Sequence, residues 1–301
     1  MREADFSVVV PATTANLGPG FDSIGLALAL YMKVDVTAAD EWTVQYDGDE
    51  YGELASGDDN LIVTTIQHVA KRKGQVASPL QLRVQSDIPL GKGLGSSASA
   101  IAAGIEIADH YLSLDLSAND KVRIGSELEG HADNVSAALL GGVTVSYFVE
   151  EEMDIIHLPE PKIGAVLLVP PAALQTEKSR GLLPEQLSHK EATAGSAASC
   201  VMAAAMARND WDTAGRMMEK DIFHEPYRKS LLPDFEQIRS ACRENGAYGT
   251  TISGAGPSIF VAVKQGDEKK LAESLEEKFP YYTPLAIQPS TTGAVVKKVL
   301  V

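Results

Sequence analysis

An α+β chain of two packed domains is what this sequence predicts, and three observations predict it. Its 301 residues exceed the usual reach of a single hydrophobic core. Strand-like and helix-like apolar patterns occur in both halves rather than in one. An acidic turn, Glu150-Glu151-Glu152, is followed by a fresh apolar run over 163–169, which places a soft boundary there and divides the chain into residues 1–155 and 156–301.

The elements follow in order. Residues 6–10 and 31–37 read as strands, and the Gly/Pro/Asn-rich stretch 11–25 between them cannot be regular throughout. Residues 60–73 have helical period, and 80–85 alternate as a half-buried strand does. A glycine-rich turn at 91–95 leads into a helix marked by Ile101, Ile105, Ala108 and Leu112. Further helices are expected over 117–129 and 134–140, and a strand over 142–147. The second half offers helices near 189–208, 211–220, 234–245 and 267–278, with strands near 249–253 and 258–263.

Composition narrows the function classes. The formal charge is −15, which repels a phosphodiester backbone, and no basic stripe offsets it, so nucleic acid is not an expected partner. Lys71-Arg72-Lys73 closes a helical pattern, where cations face the helix dipole. No apolar run reaches the roughly 18 residues of a membrane span, and Met1-Arg2-Glu3-Ala4-Asp5 enters a strand without a signal-like apolar core. Two cysteines, Cys200 and Cys242, encode neither a disulfide framework nor a zinc knuckle. A reducing cytoplasm is the expected setting.

The most informative segment is Pro89-Leu90-Gly91-Lys92-Gly93-Leu94-Gly95-Ser96-Ser97-Ala98-Ser99, set between a strand and a helix. Glycines let successive backbone N–H groups turn towards one anion, and the first helical turn adds unpaired donors and a positive dipole end. A dinucleotide fingerprint would need glycine at position 96, and a Walker A loop would need Ser or Thr at position 93; neither is present. The plainer alternative is a glycine turn capped by serine.

This segment resembles the phosphate loop of the GHMP kinases, P-x-x-x-G-L-G-S-S-A, which implies that residues 89–99 wrap the phosphates of ATP and that Ser97 is a phosphate or Mg²⁺ ligand. Lys92, at a variable position, either touches phosphate or stands exposed. Pro11-Ala12-Thr13-Thr14-Ala15-Asn16-Leu17-Gly18-Pro19-Gly20-Phe21-Asp22 resembles the first motif of the homoserine kinase branch, implying Asn16 and Asp22 against the substrate. A carboxylate and an amide carbonyl suit an ammonium group, although such residues also serve simply to satisfy loop N–H groups.

Glu129-Gly130-His131-Ala132-Asp133-Asn134 resembles the E-G-H-x-D-N segment of the same branch. The resemblance implies Glu129 as the second Mg²⁺ ligand, a hard-oxygen set with Ser97, and His131, Asp133 and Asn134 near the substrate. If Asn134 is the position where mevalonate and galactose kinases carry an Asp, it cannot remove a proton, and the hydroxyl is positioned rather than deprotonated beforehand. Thr176-Glu177-Lys178-Ser179-Arg180 and His224-Glu225-Pro226-Tyr227-Arg228 resemble T-x-x-x-R and H-E-P-x-R. Both arginines then suit a substrate carboxylate, where a lone arginine would be read as a surface ion-pair partner.

Ile252-Ser253-Gly254-Ala255-Gly256-Pro257-Ser258 resembles the third superfamily motif, with Gly254 closing on the substrate. Asn60 either borders the adenine, by resemblance, or starts a helix. The resemblance implies a nucleotide-holding N-terminal domain, a ferredoxin-like C-terminal domain, ATP and Mg²⁺ as cofactors, L-homoserine as substrate on the way to threonine, and a homodimer. The catalytic set it implies is Asn16, Asp22, Asn134 and Arg180. Two alternatives stand beside it: another GHMP kinase with a mevalonate-type substrate, and a sensor that keeps the fold without catalysis.

Overall fold

β-Branched residues from Phe6 onward form β1 (Phe6–Ala15), which pairs antiparallel with β2 (Ile24–Ala38) along nearly its whole length. Both strands are longer than their apolar runs suggest. A bulge between Pro11 and Ala12 lets the ladder continue past the proline, a position where the missing N–H is tolerated. The irregular stretch therefore shrinks to 16–23, with Asn16, Leu17 and Asp22 all at positive φ. The computed structural model describes residues 5–48, 51–52, 54–150, 152–174 and 176–298, with backbone alone for Thr176 and Glu177. The N-terminal run 1–4 and Glu151 of the acidic turn lie outside the described residues.

Along the chain follow β3 (Thr43–Tyr46), α1 (Leu61–Arg72), β4 (Leu80–Ser86), α2 (Ser96–Leu112), α3 (Ala118–Glu129), α4 (Asp133–Leu140), β5 (Val143–Val149) and β6 (Glu152–Leu158). These strands build the first sheet. β2 pairs with β4 through residues 32–38 and with β5 through residues 24–26, β6 pairs with β5, and β3 joins β4 in parallel. Helix α2 is buried over its whole stretch from Ala98 to Ala108. A helix apolar on all sides belongs inside, and this one fixes its N-terminus, with the glycine loop, at one end of the core.

The chain then forms β7 (Gly164–Val169), α5 (Thr176–Arg180), α6 (His189–Ala207), α7 (Trp211–Met218), α8 (Glu225–Arg228), α9 (Phe235–Glu244), β8 (Gly249–Ile252), β9 (Ile259–Val263), α10 (Glu268–Lys278), β10 (Thr283–Ile287) and β11 (Val295–Lys298). The second sheet is antiparallel in the order β10-β7-β9-β8, the ferredoxin-like arrangement of a split β-α-β. All six residues of β7 are buried: Val166 and Leu168 join the cluster under α9 and α10, while Ala165 and Leu167 face the main core with Met202, Trp211 and Met218. Strand β11 returns to pair with β1 in the first sheet. Among the described residues no helix is long and apolar enough to cross a membrane.

Candidate active site

Three loops meet at the N-terminal end of α2. Gly93 and Gly95 have φ of +71° and +70°, and neither position admits a side chain. A Cβ on Gly93 would run into the carbonyl oxygen of Ser253, and one on Gly95 into Thr13 Oγ1. The third motif is thus laid directly on the glycine loop: Ser253 Oγ donates to Gly93 O at 2.7 Å and lies 2.9 Å from Thr14 Oγ1. Gly254 N donates to Ala15 O at 3.1 Å, and Ser258 N to Lys92 O at 3.3 Å. No side chain caps α2 at Gly95, so the first-turn N–H groups remain available with the positive dipole end behind them.

Around this cradle stand the expected metal ligands and their neighbours. Ser97 is exposed and donates to Glu129 Oε2 at 3.3 Å. Burial pushes the Glu129 carboxyl above its ordinary pKa, with His131 pulling the other way and Asp133 adding to the rise. A cation would relieve that strain, and the hydroxyl-plus-carboxylate pair is a hard-oxygen set, so these residues fit Mg²⁺. Asp133 is 2% exposed and accepts from His131 Nδ1 at 2.7 Å, from Asn134 N at 2.7 Å and from Asn134 Nδ2 at 3.3 Å. Burial alone would lower the His131 pKa, but the hydrogen bond and charge of Asp133, with Glu129 and Asp22, raise it overall. Asn134 Oδ1 accepts from Thr13 Oγ1 at 2.8 Å.

Against His131 and Asp133 lies an ionic group, with the Asp22 carboxylate within 4.8 Å of both. Asp22 and Arg180, 158 positions apart, form a two-pronged pair, Nη2 to Oδ1 at 2.6 Å and Nη1 to Oδ2 at 3.0 Å. Arg228 is 2% exposed and forms no ion pair among the described residues; it makes only long bonds to Ser179 O at 3.4 Å and Gly254 O at 3.3 Å. Burial first, and the charge of Arg180 second, hold its pKa down to about 10. The more distant Asp22, Asp221 and Asp133 offset the Arg228 charge only in part, and an anion placed against the guanidinium would complete the compensation.

Two homologies settle the relationship. The chain matches the GHMP kinases N terminal domain over residues 60–142 and the GHMP kinases C terminal domain over 202–280. It is 41% identical over 300 residues to a homoserine kinase of Bacillus velezensis, covering 99% of this chain and 97% of that protein. The chain belongs to the homoserine kinase family. A homoserine kinase structure from Cytophaga hutchinsonii superposes with a TM-score of 0.86 at 27% identity, covering 98% of each chain. A mevalonate kinase, at 15% identity and a TM-score of 0.70, shares the fold alone.

Within this homoserine kinase framework several residues expected at the site turn elsewhere. Lys92 neither stands free nor meets the cradle: its Nζ donates to Pro170 O at 2.9 Å and Pro171 O at 2.6 Å, tying the loop to the end of β7. Ser99 Oγ reaches the carbonyls of Pro11 and Gly95, both at 3.0 Å, and Leu94 and Ala98 are core residues. Asn60 is the N-cap of α1, accepting from Ile62 N at 2.9 Å, while its amide donates to Ala55 O and Tyr46 OH at 2.7 and 2.9 Å. Those groups use both amide hydrogens and one acceptor site of Oδ1. Asn60→Ala is expected to lower stability by about 1 to 2 kcal/mol through the lost cap and the orphaned partners, with KM for ATP near the wild-type value. Thermal melting and ATP kinetics check this, and a selective rise in KM for ATP would return Asn60 to the nucleotide.

Asn16 is likewise occupied: Nδ2 donates to Gly254 O at 3.0 Å and Oδ1 accepts Asp22 N at 2.9 Å, pinning the first loop to the third. The sequence reading also passed over Phe21 and His224. The Phe21 ring lies among both arginines and stacks on His224, and His224 Nε2 donates to Gly18 O at 3.1 Å.

Proposed function

We propose that the chain transfers the γ-phosphoryl group of ATP to the side-chain hydroxyl of L-homoserine, giving ADP and O-phospho-L-homoserine, a step towards threonine. The observation that carries this reading is Arg228, buried without an acidic partner beside the Asp22–Arg180 pair, near the glycine cradle. One end of the site offers cations to a carboxylate and an acid to an ammonium. The other offers backbone donors to phosphates. A neutral sugar or mevalonate has no ammonium for Asp22.

In this reading Ser97 and Glu129 would hold Mg²⁺, which neutralises phosphate charge when bound. The glycine loop and the α2 N-terminus hold the phosphates. Asp22, backed by His131 and Asp133, takes the ammonium, and Arg180 and Arg228 take the carboxylate. Asn16 positions Asp22 and Gly254 rather than touching the reacting atoms, which revises its expected catalytic role. Asn134, held by Thr13, positions the hydroxyl; an amide cannot act as base, and Asp133 takes three donors on its single oxygen Oδ1, which holds it as a support for His131 and Asn134. Phosphoryl transfer tolerates this, because in-line placement and charge neutralisation carry much of the acceleration.

The N-terminal half to about residue 155 would hold the nucleotide and the half from 156 would wall the substrate. A cytoplasmic homodimer completes the reading, and sedimentation tests its stoichiometry. The deciding assay is ADP release across homoserine, serine, threonine, mevalonate and galactose. Homoserine is expected to lead in kcat/KM by on the order of 10²; a lead for mevalonate would replace this reading with a mevalonate-type kinase.

A further inference from the structure

Phe21 is a half-buried aromatic residue in a polar site, and it joins neither apolar cluster of the fold. Hydrophobic packing therefore does not account for its place. Its ring centroid lies 5.5 Å from the Arg180 guanidinium carbon and 5.5 Å from that of Arg228. The same ring stacks on His224, with centroids 5.5 Å apart and 28° between the planes.

Two guanidiniums gathered at one ring repel each other. Only Arg180 has a carboxylate in contact; Arg228 is tied beside it by long bonds to Ser179 O and Gly254 O and by the more distant charges of Asp22, Asp221 and Asp133, and the Phe21 ring meets both guanidiniums at equal distance. The negative face of an aromatic ring attracts a guanidinium, and more strongly where water is excluded. His224 is fully buried, gives its Nε2–H to Gly18 O, and leaves Nδ1 without a partner. Burial holds its pKa down, against the pull of Asp221 Oδ2, 3.4 Å from Nε2, and this favours an uncharged ring behind Phe21. Since Gly18 lies in the same loop as Phe21 and Asp22, one histidine anchors the loop and backs its aromatic residue.

We propose that Phe21 is a specificity-determining positioning residue, an aromatic platform that holds the Arg180 and Arg228 guanidiniums together to face one substrate carboxylate. The proposal rests on the homoserine kinase reading above. It differs from a general loop role in predicting a defect that depends on the carboxylate. Phe21→Leu keeps an apolar side chain and removes the π face. KM for homoserine should rise about tenfold, while KM for ATP stays within about twofold of wild type. The preference for homoserine over homoserinamide, which lacks the carboxylate charge, should shrink by about the same tenfold, and Phe21→Tyr should restore it.

Successively fluorinated phenylalanines at position 21 give a readout that preserves shape. Fluorine drains the negative face of the ring, so KM for homoserine should climb with each fluorine while the melting temperature holds. An unchanged KM across that series, or equal losses of homoserine and homoserinamide in Phe21→Leu, would overturn the platform and leave the substrate reading intact. A wild-type enzyme that does not phosphorylate homoserine overturns both.

Discussion

Glu129→Gln is expected to lower kcat by on the order of 10² or more at saturating ATP and homoserine, with the fold intact. The substitution preserves shape and removes only the negative charge. In the protein that charge is already disfavoured by burial and by Asp133, and favoured by His131, the Ser97 hydroxyl and Arg180, so it stands where a cation would be welcome. Ser97→Ala removes the other oxygen at the exposed start of α2 and should act in the same direction. Titrating Mg²⁺ separates the outcomes. A ligand role predicts that turnover remains low in Glu129→Gln and requires more Mg²⁺ to saturate, whereas wild-type turnover with a wild-type Mg²⁺ dependence in both variants would move the metal elsewhere.

What could be read from the sequence was what depends on short-range pattern. The glycine-serine string at 91–97 states its own conformation, because left-handed turns and an uncapped helix start are local properties. Where residues of that string point is a matter of helical phase. Ser97 and Ser99 stand two residues apart and so face different ways, Ser97 exposed in the first turn and Ser99 inside the stretch from Ala98 to Ala108 that is buried on every side. Motif position alone did not separate the two. Asn60 carried a comparable signal, since Asn immediately before an apolar helical run is an N-cap pattern.

Other features were not legible at all. The Asp22–Arg180 pair joins residues 158 positions apart, and no spacing rule connects them. Strands β3, β10 and β11 are short and lie at sheet edges, where one side of the ladder is unpaired and Pro284 is tolerated; their burial is too weak for a clear period. Phe21 carries no signal of its own in the sequence, because its surroundings depend on which side chains the second half of the chain brings to it.

The two arginines should not be equal, and the difference follows from how each is neutralised without substrate. Arg180 has a carboxylate of its own in Asp22, and binding a zwitterion exchanges that internal pair for two new ones. Arg228 has no such partner, and burial with repulsion from Arg180 already holds its pKa down to about 10. A substrate carboxylate therefore gives Arg228 its first direct ion-pair partner, beyond the more distant charges of Asp22, Asp221 and Asp133, and Arg180 a substitute for one. Arg228→Ala should cost about 2 to 5 kcal/mol, or roughly 30-fold or more in kcat/KM for homoserine, and Arg180→Ala should cost less. Arg228→Lys should not rescue it, because an ammonium lacks the planar fork that reaches both Ser179 O and Gly254 O while facing an anion. Since those backbone contacts could also loosen the third loop, KM for ATP and the melting temperature serve as controls. Homoserinamide closes the cycle: the amide should be penalised heavily by the wild type and far less by Arg228→Ala, because the interaction it lacks is already gone. Additive penalties would show that Arg228 never meets the carboxylate, and would leave its buried charge as a strut between α5 and the loop at Gly254.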